Sequence, residues 1–225
     1  MRSTIPQPRV IWGVGLNYRD HAAETGRPLP EVPTLFVKSP SAVIAPGAPI
    51  VIPPVVMQPD YEGELAVVIG RQARDVPRDD ALSVVAGITI GHDVSARDHQ
   101  YTTGQWSWSK SFDTFCPLGP EVVSLDEVDL ARGLDIETRV SGEVLQSSNT
   151  SQLVFSVPYL GAWISQGCTL EPGDVILTGT PAGVGAARNP PRWLVDGDVV
   201  EITIEGVGTL SNPVIRRDIA PAAGS

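Results

Sequence analysis

Twenty-two glycines and twenty-one prolines are spread through the 225 residues. Proline ends or kinks a helix and glycine weakens one, so such a chain favours turns and short strands over a helical bundle. The segments between these breakers read as strands. EGELAVVIG (Glu62 to Gly70) and GITIGHDV (Gly87 to Val94) are short apolar runs rich in β-branched residues, as are VIWGVGL (Val10 to Leu16), Leu35 to Lys38 and Asp174 to Leu177. Leu134 to Val140 alternates, with Leu, Ile, Thr and Val on one face and Asp, Glu and Arg on the other. The Ser141-Gly142 turn returns the chain through Glu143 to Gln146 as a hairpin. Asp198 to Ile204 and Val207 to Leu210 form a second hairpin.

Helix signals are few. Asn17 is placed to cap a helix over Tyr18 to Thr25, stopped by Gly26, and Asp80 to cap another over Ala81 to Val85. Ser156 with Pro158 opens an amphipathic helix that carries Leu160, Trp163 and Ile164 on one face and stops at Gly167. The expectation is an α+β fold, mainly β, with a few short helices. Residues 1–9 read as an N-terminal arm and residues 10–225 as one catalytic-sized domain.

Charge narrows the partners. The net charge of −10 repels nucleic acid and anionic membranes, and no Lys/Arg cluster overrides it locally. No apolar run approaches the ~20 residues that span a bilayer. The start, MRSTIPQPRVIWG, lacks the pattern of a secretory signal, so the cytoplasm is the expected compartment. Cys116 and Cys168 have no zinc-like spacing and suggest no disulfide scaffold; both read as buried, inert thiols. An acidic protein binds an anionic substrate only with a few placed cations and a metal.

The residues for such a site stand in three places. Glu62 and Glu64 are two apart where a strand begins, so both side chains face the same way, beside an apolar run that resists buried charge. Asp93 ends another buried strand and offers a third carboxylate. Three hard oxygen donors without Cys or clustered His favour Mg²⁺ or Mn²⁺ over zinc. Taken alone, the E-x-E pair suits a solvated strand edge equally well. His92 should face away from Asp93, as a packed core histidine. His21 and Glu24, three apart on a short helix, are neighbours: either a surface pair or an imidazole oriented by a carboxylate as a general base. Arg97, Gln100 and Lys110 follow Asp93 and can supply cations and an oxyanion donor for a carboxylate substrate, although a lone Lys110 also suits a solubilising role. Trp106 and Trp108 read as wall or core.

Two glycine-rich stretches do not bind nucleotides. GVGLNY lacks the third glycine and the acidic ribose partner, and GTPAGVG lacks the Gly-Lys-Ser/Thr that grips phosphate. The second reads instead as a tight turn presenting Thr180 and its amides to a carboxylate.

In order along the chain, GLNYRDHAAETG, DYEGELAVVIG, DVSARDHQ, KSFDTFCPLGP and EPGDVILTGTPAGVG resemble the fumarylacetoacetate hydrolase family from about Val10 to Ile215. The resemblance implies a mixed β-roll or β-sandwich core, a homodimer, and Mg²⁺ or Mn²⁺ in the site. It carries metal ligation onto Glu62, Glu64 and Asp93, the catalytic roles onto His21, Glu24 and Lys110, and substrate contacts onto Arg97, Gln100 and Thr180. The departures are His92 where Asn is common, Gly63 in place of a larger residue, and Trp108 where smaller or polar residues are usual. The chain's length resembles the short acylpyruvase or fumarylpyruvate hydrolase-like members. The expected activity is therefore C–C bond hydrolysis in 2,4-diketo acids through a metal-held enolate, with His21 and Glu24 activating water. Oxaloacetate decarboxylation and 2-hydroxyhepta-2,4-diene-1,7-dioate isomerisation need the same site and stand as alternatives. A non-catalytic protein on the same fold is a third.

Overall fold

The structure is a computed structural model that describes residues 7–218. Residues 1–6 of the expected arm lie outside the described residues, and residues 7–10 form neither helix nor strand. The fold is α+β and mainly β, built on two curled mixed sheets. In the first, the strand order is Thr34–Lys38, Ile11–Gly15, Val175–Leu177, Gly63–Ile69, Val85–His92, Cys116–Val123 and Val43–Ile44. In the second it is Glu143–Asn149, Asp135–Val140, Val199–Ile204, Gly208–Arg216 and Ile50–Ile52. Pro59–Asp60 and Ser95–Ala96 form a short antiparallel pair beside the first sheet.

The strand Gly63–Ile69 shows why the register is fixed. Leu65 and Val67 join Ile88, Ile90, Ile136, Ile202 and Leu210 in the core between the sheets, while Ala66 and Val68 join Leu118, Val175 and Leu177 in a second core behind. Both faces are covered, so the sequence does not alternate. Each buried Val, Leu or Ile contributes roughly 1.5–3 kcal/mol. A slip of one residue would exchange the two faces and drive Glu62 and Glu64 between the sheets. Gly63 faces that inter-sheet core, where a Cβ would stand 2.2 Å from Thr138 Oγ1 and 3.1 Å from Ile202 Cγ2. This close approach explains the missing side chain between the two glutamates.

The hairpin at Ser141-Gly142 forms as expected, with φ 51° and 85° at the two turn residues and Val140 paired with Glu143. The last strand runs well beyond Leu210, to Arg216, because it gains Ile50–Ile52 as a parallel neighbour. The helix Val157–Gly167 begins after Ser156, with Leu160 and Ile164 buried.

Four expectations need correction. Asn17 does not cap the helix Arg19–Glu24. It is buried, donates to Phe155 O and Thr178 O at 3.0 and 2.8 Å, and accepts from Phe155 N at 2.8 Å, tying three distant segments together. Asp80 caps nothing: it lies inside a 3-10 helix, Arg78–Val84, which starts after Pro77. Cys168 is exposed, whereas Cys116 is buried, with its thiol pushed up to about 12 by burial. Trp108 is 58% exposed and leans on Phe112, so it is neither wall nor core. The sequence reading also passed over the strand Cys116–Val123 and the helices Arg97–Thr103 and Trp106–Ser109.

Candidate active site

Strand pairing brings the acidic residues together. Gly63 pairs with His92, so Glu62 and Asp93 lie side by side, and the Asp93 N–H donates to Glu62 O at 2.9 Å. Glu64 follows on the same face as Glu62. One carboxylate oxygen from each of Glu62, Glu64 and Asp93 lies within 4.8 Å of the others, and all three residues are buried. His92 is directed by the register to the Gly63 side, as expected. Burial, then the nearby Lys38 ammonium, push it down to about 3, so it is a neutral core imidazole.

Two ammonium groups hold the cluster. Lys110 Nζ donates to Glu62 Oε2 at 2.8 Å, Asp93 Oδ2 at 2.5 Å and Ser95 Oγ at 2.8 Å. Lys38 Nζ donates to Asp93 Oδ1 at 2.5 Å and to Phe115 O at 2.9 Å. Burial would raise Glu62, yet the Lys110 ammonium and the Arg97 guanidinium more than offset it and hold that carboxyl well below the usual range. Glu64 moves the other way. Burial and then the Asp93 and Glu62 charges push it well above the usual range. It accepts from the Gly179 N–H at 2.6 Å, and among the described residues it has no ion-pair partner. A buried carboxyl raised by two neighbouring carboxylates is a site short of positive charge, and three hard oxygens suit a divalent ion.

Arg97 and Gln100 stand three apart on the helix Arg97–Thr103, both buried. Arg97 Nε donates to Asp60 Oδ2 at 2.8 Å, one terminal nitrogen to Glu62 Oε1 at 2.5 Å and the other to Gln100 Oε1 at 3.0 Å. The last bond occupies the amide oxygen of Gln100 and leaves its NH2 end as the donor. Asp60 also accepts from the Tyr61, Gly185 and Ala186 N–H groups at 2.9, 2.7 and 3.1 Å.

His21 Nδ1 lies 2.7 Å from Glu24 Oε1 on the short helix Arg19–Glu24, and Glu24 Oε2 accepts from the Gly183 N–H at 2.9 Å. Thr180 Oγ1 donates to Gly63 O at 3.1 Å and accepts from Gln146 Nε2 at 2.8 Å. The GTPAGVG loop therefore offers its amides to four of the protein's own carboxylates, Glu64, Glu24, Asp60 and, at 3.4 Å, Asp20. The carboxylates that this turn's amides meet are thus the protein's own, and the Thr180 hydroxyl meets none of them.

One cavity of about 320 Å³ joins these groups. His21, Glu24, Glu62, Asp93, Arg97, Gln100, Lys110 and Thr180 all line it, with Phe36 and Trp106 as aromatic wall. Glu64 lies behind Glu62 rather than on the wall. The glycine-rich GVGLNY segment has a packing role here, since a Cβ on Gly15 would stand 2.0 Å from Trp106 Cζ3. Lys38 and Asp60 are the site residues that sequence reasoning missed. A signal for Lys38 existed: it is two residues beyond Phe36 on the strand, so it shares that buried face. No helix among the described residues is long and apolar enough to cross a membrane.

The fold and the site define a β-rich protein with a buried three-carboxylate cluster under a cavity walled by an imidazole–carboxylate pair and placed cations. The chain belongs to the fumarylacetoacetate hydrolase family: the profile described as "Fumarylacetoacetate (FAA) hydrolase C-terminal" matches residues 10–215. The chain is 48% identical over 213 residues to a mitochondrial oxaloacetate tautomerase of Bos taurus, covering 94% of this chain and 68% of the relative. Among solved structures it is similar to the 5-carboxymethyl-2-hydroxymuconate delta-isomerase of Mycobacterium smegmatis, with TM-score 0.86, 46% identity, and coverage of 97% of this chain and 83% of that one. It is also similar to the 2-hydroxyhepta-2,4-diene-1,7-dioate isomerase of Mycobacterium marinum, with TM-score 0.85, 44% identity and coverage of 97% and 78%.

Proposed function

We propose that this protein is a divalent-metal-dependent keto–enol isomerase of 2-oxo dicarboxylates of the oxaloacetate type. The observation that carries the reading is that an oriented imidazole, His21 with Glu24, walls the same cavity as the acidic cluster. The relatives' names add support, since one is an oxaloacetate tautomerase and two are isomerases of 2-hydroxy carboxylates.

Glu62, Glu64 and Asp93 would hold Mg²⁺ or Mn²⁺. When bound, the ion supplies Lewis-acid charge at the oxo acid end of the substrate. Glu24 accepts the Nδ1–H of His21, which makes Nε2 the basic nitrogen. His21 Nε2 takes a proton from the carbon beside the ketone, and Lys110 with the Gln100 amide stabilises the negative charge that develops on oxygen. The imidazolium then returns the proton to that oxygen, completing the enol. Arg97, anchored by Asp60, positions the substrate's carboxylate, and Thr180, its hydroxyl bonded to Gly63 O and Gln146, lines that cavity. The same residues run the reaction in reverse.

Hydrolysis of 2,4-diketo acids is the second reading. It is favoured by the partial exposure of the His21 and Glu24 side chains, 13% and 21%, which lets water reach the imidazole. Oxaloacetate decarboxylation needs the same cluster without attacking water. A homodimer is also part of the proposal. Val55, Met57 and Trp108 are exposed, and Val55 is linked to Trp108 through His99, which bonds Val55 O and packs on Phe112.

The test follows the enol absorbance of oxaloacetate and acetylpyruvate with the Mg²⁺- or Mn²⁺-loaded protein. Accelerated interconversion of oxaloacetate forms is expected, with a loss of about 10²-fold or more in His21→Ala. Cleavage of acetylpyruvate with oxaloacetate untouched would replace the first reading by the second. Release of CO₂ would point to decarboxylation. Failure to bind either ion in a calorimetric titration would return the chain to a non-catalytic role.

A further inference from the structure

The cations close to the acidic cluster are already engaged. Lys110 is held by Glu62 and Asp93, Lys38 by Asp93, and Arg97 by Asp60 and Glu62. Arg27 differs. It lines the same cavity and is exposed, and among the described residues its guanidinium has no hydrogen-bond or ion-pair partner. Its backbone is nevertheless fixed. The Arg27 N–H donates to Ala22 O at 3.0 Å and the Gly26 N–H to Ala23 O at 3.2 Å, with Gly26 in the left-handed region at φ 63°. These bonds close the C-terminal end of the helix that carries His21 and Glu24. Arg27 therefore stands on the same rigid turn as the proposed base, with its guanidinium available to a ligand in the cavity.

Charge balance says which ligand. Asp60, Glu62, Glu64 and Asp93 contribute four negative charges when ionised, against three positive charges on Lys38, Arg97 and Lys110. A divalent ion brings this buried group to one net positive charge, which a single substrate carboxylate neutralises. A second carboxylate would remain uncompensated in a protein whose net charge is already −10. Arg27 is the cavity-lining cation available to meet it, and a guanidinium pairs with a carboxylate through two parallel N–H bonds.

We propose that Arg27 anchors the second carboxylate of a 2-oxo dicarboxylate and makes the site selective for dianions over monoanions. The proposal rests on the keto–enol reading for its reaction, but not for its binding chemistry. It makes Arg27 a specificity residue rather than part of the proton-transfer machinery.

The experiment compares wild type, Arg27→Ala, Arg27→Lys and Arg27→Glu in the metal-loaded full chain. The substrates are oxaloacetate and its 4-methyl ester, which keeps the reacting carbon and removes the second charge. In Arg27→Ala, KM for oxaloacetate should rise about tenfold, with kcat nearly unchanged. The ester's KM should not move. Arg27→Lys should recover part of the loss, Arg27→Glu should be worse than Ala, and the wild-type preference should shrink as salt screens the rim. An unchanged oxaloacetate-to-ester ratio in Arg27→Ala overturns the proposal. So does an equal loss of kcat on both substrates, which would make Arg27 a support for the helix turn.

A calorimetric arm separates this proposal from the reaction assigned above. Malate and lactate, a dicarboxylate and a monocarboxylate, are titrated into the loaded protein. If the wild type turns over no form of oxaloacetate, the keto–enol reading fails. The anchor stands only if malate binds more tightly than lactate and Arg27→Ala abolishes the difference. Equal binding of malate and lactate by the wild type overturns it.

Discussion

Replacing Lys110 by methionine should tighten metal binding while abolishing turnover. In the structure the Lys110 ammonium bridges Glu62 Oε2 and Asp93 Oδ2, two oxygens of the triad that suits a divalent ion, and donates to Ser95 Oγ. Methionine keeps the apolar stem but removes the charge. In the metal-free protein this strips one cation from a buried ion cluster, a loss of about 3–5 kcal/mol. For a chain of this size each kcal/mol corresponds to about 2–4 °C, so the melting temperature in EDTA should fall by roughly 6–20 °C. In the loaded protein a divalent charge satisfies the same carboxylates, and the penalty is smaller. If only about 2 kcal/mol of the loss is relieved by the ion, the Mn²⁺ dissociation constant falls about thirtyfold. Circular dichroism establishes that the variant is folded, calorimetry with Mn²⁺ gives the affinity, and the enol assay gives turnover. A folded Lys110→Met that binds Mn²⁺ no more tightly than wild type would refute the reasoning. The ammonium would then remain beside the ion instead of competing with it.

Three further outcomes follow from the geometry. His92 has a folded pKa of about 3 against an ordinary value of 6.5, so the unfolded chain binds the extra proton between these values. Its contribution is complete above pH 6.5 and is lost as pH falls towards 3, at about 1.4 kcal/mol per unit. His92→Leu should therefore lose about 2 kcal/mol less than wild type between pH 6.5 and 5 in urea denaturation, and parallel slopes would contradict this. Gly63→Ala should destabilise by about 1–3 kcal/mol because its Cβ meets Thr138 Oγ1, and a second change, Thr138→Ala, should restore part of the melting temperature. Ellman's reagent at pH 8 should titrate the exposed Cys168 alone in the native protein and both thiols in guanidinium.

What the sequence disclosed followed the reach of local geometry. A two-residue strand period aligned Glu62 with Glu64, and a three-residue helix spacing paired His21 with Glu24; both arrangements appear in the structure. Period-two reasoning also placed His92 on the face away from Asp93. Asn17 misled because an Asn before a helix is locally a cap, and nothing local shows that Phe155 and Thr178 will claim its amide. Lys110 and Arg97 were legible as site cations, but their partners were not, because Glu62 is 48 and 35 residues away respectively. Asp60 was overlooked for the same reason, since its partners Gly185 and Ala186 lie 125 and 126 residues away. The helices Arg97–Thr103 and Trp106–Ser109 are short and lack side-chain caps, so neither carries a start signal that sequence reasoning could use.

The loop from Gly179 to Ala186 unites these observations. Its amides reach Glu64 in the acidic cluster, Glu24 behind the imidazole, and Asp60 behind Arg97. A lysine in each of these places would also neutralise charge, but it would add flexible cations that compete for the same oxygens. Backbone N–H groups donate without bringing a formal charge and are held by the chain itself. These three carboxylates, together with Asp20 on the helix of Glu24, are thus referred to one short stretch of backbone. The His21–Glu24 pair, the acidic cluster and the Arg97 guanidinium can then keep their spacing while the cluster's excess negative charge is left for an ion to meet. The glycines of GTPAGVG serve this geometry: at Gly183, with φ 102°, a Cβ would stand 2.0 Å from Leu145 O. A motif that superficially resembles a phosphate loop is here a device for positioning the protein's own acids.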